Sequence, residues 1–161
     1  MSRTGHSFIK NKLKETDAEL GGEMSGHIFF KDRWYGFDDA LYTAARLLEI
    51  ISKTDKTCAE IFAELPYSVS TPEINIHFDE QGQQYDAMKV LSKNIDFPGS
   101  EINTIDGVRV DYENCWGLVR ASNTTPCLVL RFEGMDIEAL NSIKSQFKDW
   151  LETNNISTKT L

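Results

Sequence analysis

Two short stretches carry the residue types that could do chemistry. Arg120–Pro126 reads RASNTTP, a guanidinium followed by Ser122, Asn123, Thr124 and Thr125, and such a run of donors suits an oxyanion. Each charge-assisted bond from such a donor to a phosphate oxygen contributes roughly 1.5–3 kcal/mol. Arg120 ends one apolar run and Arg131 lies in the next, so two guanidinium groups could converge beside the loop. Ser, Asn, Thr and Pro are also ordinary turn residues, and on composition a phosphate site and a plain polar turn both stand. The second stretch, Gly21–Phe30, reads GGEMSGHIFF. Its glycines allow a ligand close to the backbone, while the Glu23 carboxylate and the Ser25 hydroxyl suit vicinal sugar hydroxyls. A Gly-rich connection with solvated Glu23 and His27 is the alternative. His27 and His6 are candidates for proton transfer, the usual task of an imidazole near neutral pH.

Other reactive-looking residues have plainer readings. His77 lies on the polar side of an alternating run, and Asp38–Asp39 and Asp106–Gly107 read as a helix start and a hairpin turn. No cluster has metal-ligand spacing, so no metal residue is expected here. Neither a nucleophile with its base nor a GxxxxGK[ST] loop is present. The net charge of −8 argues against nucleic acid and against an anionic membrane surface, both of which need basic fields. Cys58, Cys115 and Cys127 are an odd set without a CxxC pair, the pattern of reduced thiols in a cytoplasmic protein. No apolar run reaches membrane-spanning length.

The elements that must position these residues change character near residue 67. Before it, SFIKNKLKETD predicts a weak amphipathic helix, IFF a short strand, and TCAEIFAELP a short helix. DDALYTAARLLEIISK predicts a strong helix with an apolar stripe of Leu41, Ala44, Ala45, Leu48 and Ile51. After it, EINIHF alternates as a half-buried strand, and QQYDAMKVLSKNI predicts a helix with Tyr85, Met88 and Leu91 on one side. INTIDGVRVDY predicts a tight hairpin turning at Asp106–Gly107, and WGLVR and CLVLRFE two more strands. Asp136 caps a final helix with the stripe Ile137, Leu140, Ile143, Phe147, Trp150 and Leu151. The fold class is α+β: an antiparallel sheet with helices on one face over residues 67–161, preceded by residues 1–66. That first segment leaves apolar helical faces with no sheet to cover, as if an α/β domain began upstream.

In order, TGHSFIK (Thr4–Lys10), GGEMSGHIFF, WYGFDDALYTAARLLEI, STPEINI, DGVRVDY and WGLVRASNTTPCLVLRFE resemble the C-terminal portion of the bacterial phosphomannomutase/phosphoglucomutase branch of the α-D-phosphohexomutases. The resemblance implies four domains around one cleft and interconversion of hexose 1- and 6-phosphates. A phosphoserine in domain 1 donates the phosphoryl group, a bisphosphorylated sugar is the intermediate, and magnesium sits in a DGDxD-type loop of domain 2. It further implies that residues 1–66 are the C-terminal part of α/β domain 3, and that residues 67–161 are a TBP-like domain 4 with a four-stranded sheet. Carried over residue by residue, Glu23 and Ser25 match the sugar-binding pair. Arg120, Ser122, Asn123 and Thr124 match the ligands of the non-reacting phosphate, and His6 and His27 match histidines near the cleft. The T-A-S-H serine loop and the DGDxD loop are absent from these residues. The expectation is therefore a C-terminal fragment that holds a phosphohexose, binds no magnesium itself and is inactive alone. Residues 1–66 would pair with missing N-terminal domains or self-associate. The alternatives are the phosphoglucosamine mutase branch, marked by EQSGH and R-P-S-G-T-E-P, and a non-catalytic interaction module.

Overall fold

Ile9 and Leu13 stand four residues apart, so a helix puts them on one face, and that spacing seeds a small core. In the computed structural model, which describes residues 1–161, they lie buried with Phe29 between helix α1 (His6–Thr16) and a hairpin. The chain divides after Pro66 into two units. In the first, the hairpin pairs β1 (Leu20–Gly22) with β2 (Ile28–Phe30), Gly22 opposite Ile28. Both ends of the Gly-rich stretch, Gly21–Gly22 and Ile28–Phe30, are thus strand, and only residues 23–27 form the turn.

Helix α2 (Ala40–Ser52) begins at Asp39, whose carboxylate accepts the Tyr42 N–H at 2.9 Å. Its expected apolar stripe lies open: Leu41 is 85% and Leu48 65% exposed. The polar face is the one that packs. Arg46 pairs with Asp32 at 3.0 Å and with Glu49 at 3.3 Å, Arg33 reaches Glu49 at 2.8 Å, and the Trp34 and Tyr42 rings stack at 4.3 Å. These contacts tie residues 32–34 of the loop after β2 to α2. Helix α3 (Cys58–Ala63) closes the unit with a capping box between Thr57 and Glu60.

The second unit is built by period-two alternation. Its sheet runs β5 (Glu101–Asn103), β6 (Val108–Asp111), β7 (Cys115–Ala121), β8 (Cys127–Gly134), all antiparallel neighbours. The far edge of β8 takes two pieces, β3 (Val69–Ser70) and β4 (Ile74–His77). Pro72 separates them because it has no N–H to donate to the ladder. Four longer strands thus make the expected antiparallel sheet, and β3 and β5 extend it by two and three residues. Helices α4 (Gln83–Leu91) and α5 (Ile137–Thr153) pack on one face of it, and Asp136 caps α5 by accepting the Ala139 N–H at 2.8 Å. Met88, Leu91, Val108, Val119, Leu130, Phe132, Ile143 and Phe147 make the core. Gly117 lets α5 approach, since a Cβ there would stand 2.6 Å from Cε2 of Phe147. No helix is long and apolar enough to cross a membrane.

The β5–β6 connection is four residues long, not the two-residue turn the sequence predicts, and only Gly107 in it has positive φ, at 81°. A Cβ on Gly107 would lie 2.1 Å from the Val119 carbonyl oxygen and 2.7 Å from Cα of Arg120. The hairpin therefore packs its backbone against the end of β7.

Two outcomes follow. Gly99 has φ 79° and open space around it, so Gly99→Ala reports the cost of left-handed backbone alone, about 1–2 kcal/mol. Gly107→Ala adds a backbone clash and should lower the urea midpoint of the second unit clearly further. In the first unit, Arg33 and then Lys53 hold Glu49 at about 2, below its ordinary 4.5. That stabilisation is present above pH 4.5 and is lost as pH falls toward 2. Amide protection of α2 should decline over that window, and Glu49→Gln should flatten the decline.

Candidate functional site

The first unit gathers its candidates around a pocket of about 560 Å³ lined by His6, Lys10, Glu23, Ser25, His27 and Asp38 among others. The turn that carries them is closed by its own backbone: Glu23 N–H donates to the His27 carbonyl and Gly26 N–H to the Glu23 carbonyl, both at 2.9 Å. Oε1 of Glu23 accepts the N–H of Gly5, the N-cap of α1, at 2.7 Å. The carboxylate is thereby oriented by the start of α1. Ser25 sits exposed at the tip of the turn.

Nδ1 of His27 lies 2.5 Å from Oδ2 of Asp38. A carboxylate on one ring nitrogen fixes the tautomer and leaves Nε2 to exchange a proton. Asp38 is the residue that sequence reasoning missed. The Asp38–Asp39 pair reads as one helix start, but Asp39 alone caps α2 while Asp38 bridges back to Phe29 and holds the imidazole. The signal was the doubling itself, since one cap needs only one aspartate. His6 is the first residue of α1 and lies exposed at the pocket rim.

In the second unit, RASNTTP joins β7 to β8. Ser122 is only 7% exposed, and its Oγ accepts the N–H groups of Thr124 and Thr125 at 3.3 and 3.2 Å. Its hydroxyl also meets that of Thr125 at 2.9 Å. Ser122, expected among the phosphate ligands, uses its hydroxyl oxygen to shape the loop, while Asn123, Thr124 and Thr125 are exposed. The Ser122 and Thr125 carbonyls point inward, where the amide of Gln84 takes both.

The face of the sheet opposite the helices carries three arginines. Arg109 is committed, bidentate to Asp111 and 4.0 Å from the centre of the Trp116 ring. Arg120 and Arg131 have no carboxylate partner; Arg120 reaches only the Ala121 carbonyl, at 3.4 Å, and Nε of Arg131 is buried without a hydrogen-bond partner. Arg120 stands opposite Val129, two residues from Arg131, so the two are diagonal neighbours with backbones about 7–8 Å apart. Nowhere do three or more His, Cys, Asp or Glu side chains gather as metal ligands.

With this geometry in place, comparison with known proteins locates the chain. Residues 1–69 match the family model described as phosphoglucomutase/phosphomannomutase, alpha/beta/alpha domain III, and residues 73–149 match that of the C-terminal domain. The chain is 55% identical to a phosphomannomutase/phosphoglucomutase of Pseudomonas putida, over 94% of this chain and 32% of that protein. It is 52% identical to a phosphoglucomutase of Neisseria meningitidis, over 96% of this chain and 34% of that protein. A crystal structure of a phosphoglucomutase/phosphomannomutase family protein from Burkholderia thailandensis superposes with a TM-score of 0.87 at 48% identity, covering 96% of this chain and 32% of that one. The chain thus spans about a third of the length of the curated relatives it matches.

If Ser122 organises the loop, Ser122→Ala frees two N–H groups without emptying the core. Amide exchange at Thr124 and Thr125 should quicken about tenfold, the equivalent of roughly 1–1.5 kcal/mol, with the second unit still folded. Unchanged exchange at both positions would contradict that role.

Proposed function

The chain belongs to the phosphoglucomutase/phosphomannomutase family, and we propose that it serves the substrate-holding side of a mutase that interconverts the 1- and 6-phosphates of mannose and glucose. The observation that carries this reading is the pair of arginines without carboxylate partners, Arg120 and Arg131, beside a loop of hydroxyls in a chain of net charge −8. Two like charges on one sheet face are unfavourable unless an anion answers them, and a phosphate monoester dianion is the charge that would.

In this reading the loop of the second unit holds the phosphate that does not react, through Arg120, Asn123, Thr124 and Arg131. Glu23 and Ser25 of the first unit hold sugar hydroxyls, the first accepting and the second donating or accepting. His27, oriented by Asp38, exchanges a proton with the hydroxyl that gains or loses a phosphoryl group. The reaction is a transfer from a phosphoserine to the free hydroxyl of the sugar phosphate, giving a bisphosphate, followed by return of the other phosphoryl group to the serine. These 161 residues contain no T-A-S-H serine loop, so they contribute grip and proton handling without a phosphoryl donor. Grip matters for rate, because binding energy from the remote phosphate holds the reacting oxygen in line.

Titration with glucose 1-phosphate, followed by amide resonances, tests the reading. Resonances of residues 122–124 should shift and saturate, and Arg120→Ala should raise the dissociation constant roughly tenfold or more, equivalent to about 1.5–3 kcal/mol. Silence at the loop up to high millimolar ligand would remove the phosphate site. Mutase turnover by the purified chain alone would overturn its restriction to holding substrate.

A further inference from the structure

Gln84 is wholly buried, the only polar residue among the largest fully buried side chains. It occupies the core-facing stripe of α4 with Ala87, Met88 and Leu91. A leucine or methionine would fill that place without the expense of burying an amide. The amide is instead fully engaged. Its Nε2 donates to the Ser122 and Thr125 carbonyls, each at 3.4 Å, and its Oε1 accepts the Gly82 N–H at 2.9 Å. Two hydrogens serve two loop carbonyls, and the oxygen serves the start of the helix that presents them.

Both carbonyls belong to the loop, and that of Thr125 also accepts the Cys127 N–H at 2.8 Å. A loop that binds phosphate must keep its carbonyl oxygens turned away from the ligand, because those oxygens repel it. Ser122 is buried, while Asn123, Thr124 and Thr125 are exposed. We propose that Gln84 is a positioning residue: it draws both carbonyls into the protein and so presets the loop for phosphate. This rests on reading that loop as the phosphate site. Gln84 touches no ligand, and its effect passes through backbone orientation.

The test uses the 161-residue chain and inorganic phosphate. In the unmutated chain, phosphate should shift the Gln84 side-chain amide resonances together with the loop amides, since a carbonyl clamp feels the loop tighten. Gln84→Met conserves volume and removes both donors, and its phosphate dissociation constant should rise about tenfold while α4 and the sheet stay folded. Gln84→Glu restores the acceptor for Gly82 but lacks the paired donors, and it should lose affinity as well. Gly99→Ala, destabilised away from the loop, should bind like the parent, which separates positioning from general loss of stability. Parent-like affinity in Gln84→Met, with loop amides still responding, would overturn the proposal and leave the phosphate site intact. Should Gln84→Met fail to fold, Gln84 resonances unmoved at phosphate saturation in the unmutated chain would overturn it equally. No response to phosphate anywhere in the loop would bring down the phosphate reading and the clamp with it.

Discussion

The second unit depends on the register between β7 and β8. Seven paired residues, from Cys115 opposite Gly134 to Ala121 opposite Leu128, decide which side chains face the helices and which face away. In this register Gly117, Val119, Leu130 and Phe132 meet α4 and α5, while Trp116, Leu118, Arg120 and Arg131 occupy the other face. A slip of β7 by one residue would drive Arg120 into the core and turn Val119 out, so burial on one face enforces the placement of charge on the other. Gly107 and Gly117 hold the register from both sides, the first by seating a hairpin against Arg120 and the second by admitting Phe147.

The first unit is organised by polar contacts around a core of three buried apolar residues. Arg33, Arg46, Asp32 and Glu49 tie the loop after β2 to α2, and the Trp34–Tyr42 stack supports them. Exposed ion pairs are individually weak, and this set gains from sharing partners, with Glu49 taking Arg33, Arg46 and Lys53. The same loop delivers Asp38 to His27. The apolar stripe of α2 is left uncovered, so the helix is held by the face that amphipathicity would assign to solvent.

The candidate ligand groups fall into two electrostatic classes, one in each unit. The second unit offers unanswered positive charge beside hydroxyls, which matches a phosphate. The first offers a carboxylate braced by the start of α1 and an imidazole braced by a carboxylate, which match neutral hydroxyls that must accept or release a proton. In each case a candidate group is oriented by a neighbour: Glu23 by Gly5, His27 by Asp38, and the RASNTTP backbone by Ser122 and Gln84. Preset partners of this kind reduce the ordering that binding would otherwise require.

The sequence by itself determined the α+β class, five of the six strands of the second unit, the helix starts at Asp38–Asp39 and Asp136, and the places of the two loops along the chain. Those features are local, because alternation, capping residues and turn chemistry act within a few neighbours along the chain. Tertiary structure decided what depends on contacts far apart in sequence. Gln84 reads as a surface residue of a helix until Ser122, 38 residues later, lies against it. Asp38 reads as part of a cap until the hairpin brings His27 alongside. Ser122 reads as a ligand alone until the loop closes and its hydroxyl oxygen takes the Thr124 and Thr125 N–H groups as well. The stripe of α2 reads as core, and period alone assigns it so, but a stripe is buried only where another element supplies a surface to meet it. In this fold Arg46 and Glu49 found their partners and Leu41 and Leu48 did not, because burial is a property of the pair of surfaces and not of the helix that offers one.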